Sequence, residues 1–331
     1  MPADRDGKAP PEPGLPIELE EHYDSVVRAL MRGSLVPVLG AGANLCGRPP
    51  DAGFERGRYL PNGHELAQEL ARAFRYPKDE ALELVRVSQY AYLLDGSGPL
   101  YDALHDVFDA DYPPTPLHEF LANLPRMLRE AESLRRFPLI MTTNYDDSLE
   151  RAFDAAQEPF DLVSYIAQGD DRGKFRHRPP GERSHVIDDP SRYLDVSVDR
   201  RTVILKIHGL VDRTSPRVED SYVITEDHYI DYLSWTNLET FVPVKLLEQL
   251  KYSNFLFLGY SMRDWNLRAI LNRLWAERDG KTYTSWAVQL APDRIERESW
   301  RRRDVKIFDV ALDRYLDELR ARLAQGLAPE S

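Results

Sequence analysis

Cysteine is all but missing from this 331-residue chain, in which Cys46 stands alone. It can form neither an intrachain disulfide nor a four-cysteine zinc site. A lone cysteine beside a Gly-rich turn could serve as a nucleophile, but a small buried residue is the commoner use. Long apolar runs are missing as well. No uninterrupted stretch approaches the ~20 residues that a bilayer span needs, and the first residues lack the apolar core of a signal peptide. Positive charge is in short supply: 43 basic residues against 55 acidic ones leave a net charge of −12. A protein built to hold a phosphate backbone usually carries the opposite sign, so direct nucleic-acid binding is not expected. The triplet Arg301, Arg302, Arg303 reads as solvated surface. What remains is a cytoplasmic globular protein without a membrane anchor, with an apolar content of 42% and a charged content of 30%.

Regular structure is expected along most of the chain. Residues 1–18 are Pro-rich and read as a disordered tail, ahead of one catalytic domain over 19–325. Helical spacing covers Leu19 to Arg32, and Leu35–Leu39 makes a first strand. Gly47 to Pro61 is loop-like. Between about 62 and 136 three apolar stripes (Leu66, Leu70, Ala73, Phe74; Leu82, Val85, Tyr90, Leu94; Leu100, Leu104, Val107, Phe108) predict a helical insertion subdomain. Strands are expected at 138–143, 160–165, 203–207, 254–258, 284–289 and 304–309, with helices at 240–251, 264–277 and 311–324. This alternation predicts a Rossmann-like α/β fold, a parallel sheet with helices on both faces. Residues 168–200, with Pro179, Pro180 and many aspartates, read as a long surface loop.

Four of the apolar runs end abruptly in small or polar residues. Val36–Leu39 runs into Gly40-Ala41-Gly42-Ala43-Asn44. Leu139–Met141 runs into Thr142-Thr143-Asn144-Tyr145-Asp146-Asp147. Val203–Ile207 ends at His208-Gly209, and Phe255–Leu258 at Gly259-Tyr260-Ser261. Open α/β sheets bind ligands where such strand ends converge. Gly40 and Gly42 would let the backbone approach a pyrophosphate, although Leu45 stands where a dinucleotide fingerprint has its third glycine. Asn144 could orient a carboxamide or a water, and Asp146 could take hydrogen bonds from an amide or a ribose. The plainer alternative makes Asn144 an Asx-turn and Asp147 or Ser148 the helix cap. His208 is suited to moving a proton near neutral pH, and Gly209 would admit a ribose. Asp264 or Ser261 would cap the following helix. The remaining histidines, His22, His64, His105, His118, His177, His185 and His228, show no paired metal-ligand spacing, and no metal site is expected.

In this order, Gly-Ala-Gly at 40–42, Thr-Thr-Asn-Tyr-Asp at 142–146, Lys-Ile-His-Gly at 206–209 and Leu-Gly-Tyr-Ser at 258–261 resemble the NAD-binding blocks of the sirtuin-like superfamily. The likeness spans roughly residues 30–310. It is nearest to the sirtuin-like NAD-hydrolysing effectors of bacterial antiphage defence, whose block resembles Leu-Gly-Tyr-Ser followed by Asp264-Trp265-Asn266. The resemblance implies NAD as substrate. Gly40, Ala41 and Gly42 would contact the pyrophosphate, Gly259 and Ser261 the adenosine side, with Asn44, Thr143 and Asp264 as further contacts. Asn144 would place water or the nicotinamide ribose, Asp146 would meet the carboxamide, and His208 would act as base. Two departures stand out. The four-cysteine zinc ribbon of the deacylases has no counterpart, a helical insert standing in its place. The loop Gly47–Phe54 is only loosely like the deacylase Pro-Asp-Phe-Arg segment, so no role is carried to Asp51, Phe54 or Arg58.

The implied activity is NAD+ glycohydrolysis to nicotinamide and ADP-ribose, in abortive infection. The alternatives are an NAD-dependent protein deacylase or ADP-ribosyltransferase, and a non-catalytic NAD or ADP-ribose sensor. An ungated NAD hydrolase would poison its own cell. The chain ends at Ser331, soon after the last expected helix, so control is expected from homo-oligomerisation or a separately encoded partner such as a HerA-type ATPase.

Overall fold

A computed structural model describes residues 16–133, 135–214, 217, 219–234, 242–261, 271–272, 274–275 and 283–326. The first fifteen residues of the expected tail, Asp264 and most of the helix expected over 264–277 lie outside the described residues. Helix α1 spans Ile17–Met31 and so begins two residues earlier than the spacing predicts, inside the stretch read as tail.

The sheet runs through β1 (Leu35–Leu39), β2 (Leu139–Thr142), β3 (Phe160–Tyr165), β4 (Phe175–Arg178), β5 (His185–Val186), β6 (Thr202–Lys206), β9 (Asn254–Leu258), β10 (Ser285–Val288) and β11 (Val305–Phe308). Two short strands, β7 (Gly209–Leu210) and β8 (Ser221–Tyr222), pair with each other outside it. The order across the sheet is β11-β10-β9-β1-β2-β6-β3-β4-β5. All pairs from β11 to β3 are parallel. Every residue of β1, β2 and β6 is buried, as expected of strands covered on both faces.

Alternation along each strand divides the interior into two cores. Val36, Val38, Leu139, Met141, Val203, Leu205, Phe255 and Phe257 face one way. They meet α8 (Val244–Lys251) through Leu246, Leu247 and Leu250, and α9 (Arg294–Arg301) through Trp300. Leu35, Leu39, Ile140, Ile204, Leu256 and Leu258 face the other way, against α1, α5 (Pro116–Glu130), α6 (Ser148–Ala155) and α10 (Leu312–Gly326). A third core joins α2 (Gly63–Ala73), α3 (Leu84–Asp95) and α4 (Ser97–Phe108) to Tyr145, Val211, Tyr222 and Ile224 at the sheet's end. Helix α7 (Glu226–Ser234) lies against α3, where Gln89 bonds Asp227.

Two expectations need correction. The helical stretch 62–136 does not form one body, because Leu117, Leu121, Leu124 and Leu128 of α5 pack under the sheet and only α2 to α4 build the third core. Apolar spacing marks a helix's buried face without saying which partner covers it. The stretch 168–200 is not a bare loop either. Strands β4 and β5 extend the sheet antiparallel from β3. In Phe175-Arg176-His177-Arg178 the inward positions are Phe175 and His177, and the basic side chains between them hide the period-two pattern.

Candidate active site

Strand register brings the polar strand ends together. Leu258 pairs with Leu39, Leu39 with Thr142, and Thr142 with Lys206, so these four residues form one row across β9, β1, β2 and β6. With neighbouring strands ~4.8 Å apart, the row spans about 14 Å. One residue beyond it stand Gly259, Gly40 and Thr143, and two residues beyond it, past the ends of adjacent parallel strands, come Asn144 and His208. The chain passes from β1 to β2 on one side and returns to β9 on the other. That is the topological switch point where open α/β sheets bind ligands.

A cavity of about 570 Å³ opens at this point, within the roughly 300–1,000 Å³ usual for small-molecule sites. Gly40, Ala41, Gly42, Asn44, Thr143, Asn144, Asp146, His208, Gly259 and Ser261 all line it, so every expected site residue except the undescribed Asp264 meets in one place.

Backbone packing explains the glycines. Gly42 N–H donates to the Gly259 carbonyl at 2.8 Å, and Gly40 N–H to the Leu258 carbonyl at 3.2 Å. A Cβ on Gly42 would come within 2.6 Å of the Gly259 oxygen. Gly259 has φ +63°, and a Cβ there would lie 2.1 Å from Ala43 N. The close approach these glycines permit is therefore first of all that of two strand-end loops to each other. Gly209, expected to admit a ribose, has φ +87° and turns its missing Cβ toward the Ser221 carbonyl at 2.1 Å. Its need for glycine comes from β8.

Asn144 is 9% exposed. Its Nδ2 donates to the Gly40 carbonyl at 3.1 Å, and its N–H to Thr142 Oγ1 at 3.0 Å. The Asx-type turn belongs to Asp146, whose Oδ1 accepts the Ser148 N–H at 3.1 Å, while Oδ2 accepts Asn44 Nδ2 at 2.9 Å. Of the two expected caps of α6, Asp147 or Ser148, Asp147 takes the N-cap position, but its side chain makes no capping bond and instead accepts from Arg213 at 3.0 Å. Burial alone would raise the Asp146 carboxyl. Lys206, then His118, then the bonds from Asn44 and Ser148 reverse this and hold it below the usual carboxylate range. Burial, in turn, pushes His118 down to about 4. Its Nδ1 accepts the Thr115 N–H at 3.2 Å, standing in for the Glu or Gln of a capping box at the start of α5.

His208 is 3% exposed and meets Tyr229 of α7 edge-on at 5.5 Å. Its carbonyl accepts the Val223 N–H at 2.9 Å, which fixes the turn after β6. Cys46 is buried and donates to Asp313 Oδ1 at 3.2 Å. Burial first, and the Asp313 carboxylate second, push its thiol up to about 12, which leaves no thiolate for nucleophilic attack.

Several lining residues carry no sequence signal of their own. Leu66 of α2, Leu84 of α3 and Phe108 of α4 bring the helical insert to the cavity, and Tyr145 and Tyr229 add aromatic wall. Helical spacing marks Leu66 and Phe108 as core, and core they are; only the third dimension reveals that this core borders a cavity. Lys206 and His118, which bear on Asp146, lie 60 and 28 positions from it in the chain and cannot be paired with it by spacing.

Among the described residues no group of three or more His, Cys, Asp or Glu side chains is arranged to hold a metal ion, and no helix is long and apolar enough to cross a membrane. Residues 138–308, just over half of the chain, match the SIR2-like domain family. The matched span starts just before β2 and ends with β11, so it contains Asn144, His208 and Gly259. Over 253 residues the chain is 28% identical to a protein of Acinetobacter baumannii named NAD(+) hydrolase ThsA, covering 76% of this chain and 41% of that protein. Over 295 residues it is 23% identical to defense-associated sirtuin 2 of Bacillus subtilis, covering 88% of this chain and 24% of that protein. The chain thus spans well under half the length of either curated relative.

Proposed function

Since the chain belongs to the SIR2-like family, we propose that its cavity binds NAD+ and hydrolyses it to nicotinamide and ADP-ribose. The observation that carries this reading is that Asn144 and His208, each two residues past a paired strand end, both line one cavity of about 570 Å³. The two relatives support the reading by name, one as an NAD+ hydrolase and the other as a defence-associated sirtuin.

In the proposed reaction, a water oxygen bonds to the ribose carbon that bears nicotinamide. The carbon–nitrogen bond breaks, and its electron pair neutralises the pyridinium. Asn144 orients the water or the ribose, and His208 takes the proton that the water sheds, directly or through a ribose hydroxyl. Asp146 remains a carboxylate. After its bonds to Asn44 and Ser148 it keeps lone pairs for the carboxamide N–H. Gly40, Ala41 and Gly42 take the pyrophosphate, and Gly259 and Ser261 the adenosine side, with Asn44, Thr143 and Asp264 as further contacts. The cellular role would be NAD depletion in the cytoplasm during antiphage defence. Control would come through self-assembly or a separately encoded activator such as a HerA-type ATPase.

The test is NAD+ loss by the purified protein at several concentrations, alone and with the products of adjacent reading frames. Nicotinamide and ADP-ribose in equal amounts support hydrolysis. O-acetyl-ADP-ribose formed with an acetyl-lysine peptide would revive deacylation, and tight binding without turnover would favour a sensor.

A further inference from the structure

We infer that Lys206 is a positioning residue of this site: a buried strut that fixes the Asn144–Asp146 loop against the end of the strand that leads into His208. The inference rests on the NAD+ reading above. Lys206 closes β6 two residues ahead of His208, yet it is only 1% exposed. Its Nζ crosses to the exit of the neighbouring strand, donating to the Asp146 carbonyl and, at 2.7 Å, to Glu150 Oε1 of α6.

A buried ammonium is unfavourable unless its partners repay the lost hydration, and an apolar residue would pack the same space without that penalty. Glu150 alone is a poor reason for the charge. Burial dominates its carboxyl and pushes it up despite Lys206, and its Oε2 finds no hydrogen-bond partner among the described residues. Asp146 is the better reason. Lys206 from β6, His118 from α5 and Tyr112 from the segment before α5 face its carboxyl, and Lys206 opposes burial there more than any other group does. An ionised Asp146 accepts both Asn44 Nδ2 and the Ser148 N–H. One side chain thus joins three pieces of the site. It ends the strand that leads into His208, holds the Asp146 carbonyl of the Asn144 loop, and through the Asp146 carboxylate secures Asn44 in the turn after Gly40.

Lys206→Met keeps the stem and removes the charge. The double variant Lys206→Met with Glu150→Leu also removes the carboxylate that would be stranded, and it replaces the single variant if that one does not fold. In the folded variant, kcat for NAD+ falls about 10²-fold while KM moves little, the size expected of a misplacement near 1 Å. The acid limb of the rate profile moves to higher pH, because Asp146 without the ammonium takes a proton earlier. Lys206→Arg restores part of the rate. A role confined to stability would lower the melting temperature and leave kcat and the acid limb in place.

Hydrogen exchange reads the strut without NAD+. Amides in 41–46 and 143–148 exchange about tenfold faster in the variant, while β1 stays protected. Parent-like exchange in both segments overturns the strut whatever the turnover. Faster exchange with parent kcat and an unmoved acid limb overturns its part in the reaction. A parent protein that neither binds nor cleaves NAD+ retires the substrate reading instead, and exchange then decides the strut by itself.

Discussion

His208 and His177 are both buried, both belong to the large sheet region and both have tyrosine neighbours, yet their surroundings differ in one respect. His208 lies on the cavity, edge-on to Tyr229. His177, at 1% exposure on β4, has both ring nitrogens bound within the protein. Its Nε2 meets Asp161 Oδ1 at 2.9 Å and its Nδ1 meets the Tyr193 hydroxyl at 2.6 Å. Asp161 also accepts Arg201 Nε at 2.8 Å, and Tyr193 meets His185 at 2.6 Å. The hydrogen bonds of the second set end within the set, so it holds an edge of the sheet together. The first set borders space, so it can meet a ligand. Residue type does not separate the two; the presence of a cavity does.

The comparison breaks most sharply by mutation of the cavity set. Asn144→Ala and His208→Ala should each cut nicotinamide release by about 10² to 10⁴ while far-UV circular dichroism and melting stay near the parent. Parent-rate hydrolysis in both variants would end the site assignment. His177→Ala should do the reverse. It strands a fully buried Asp161 beside Arg201 alone, so stability falls by about 3 kcal/mol while NAD+ turnover persists. Urea unfolding and a turnover assay measure both, and lost turnover in a folded His177→Ala protein would erase the distinction.

Acid probes a third kind of histidine, buried and held neutral. Burial, assisted by Lys306, pushes His22 down to about 3, and burial pushes His118 down to about 4, from 6.5. Between pH 6.5 and 4 the unfolded chain therefore binds more protons than the folded one, and stability falls as pH falls. Each histidine removes about 3 kcal/mol by pH 4. Denaturant melts at pH 7 and 4.5 should show the loss, and His22→Phe should reduce it; an unchanged slope in that variant would rule His22 out. The smallest effect belongs to Arg201→Met. Its guanidinium is partly exposed and leaves the Asp161–His177 bond intact, so about 1.5 kcal/mol is expected, with no change in turnover. A loss as large as that of His177→Ala would show that the closed set depends on Arg201 as much as on its histidine.

Much of this was legible before any coordinates. The apolar runs that end at Leu39, Met141, Ile207 and Leu258 change abruptly to small or polar residues, and that contrast is local. Asn144 and His208 stood out for the same reason. Asp147 sits at the N-cap of α6 as its place before a helix suggests, but its carboxylate is taken by Arg213 from 66 positions away rather than by the helix N–H groups. Strand β4 stayed hidden because charged side chains occupy its outward positions, and β5 because two residues, His185 and Val186, are too few to show a period. The division of the stretch 62–136 stayed hidden because α5 and α2 have equally good apolar faces, with different partners.

Hydrophobic period, residue volume and glycine placement travel with the chain, so the alternation of strands and helices, the burial of β1 and β6 and the identity of the polar tips were settled by residue order. Partners distant in sequence were settled by strand order and register. Asn44 and Asp146 stand 102 positions apart, and they meet because β1 and β2 are neighbours. The same register set Lys206 beside the Asn144 loop, laid Gly259 against Gly42, and left open space at His208 but not at His177. No local pattern encodes these contacts, since each arises where separate segments pack.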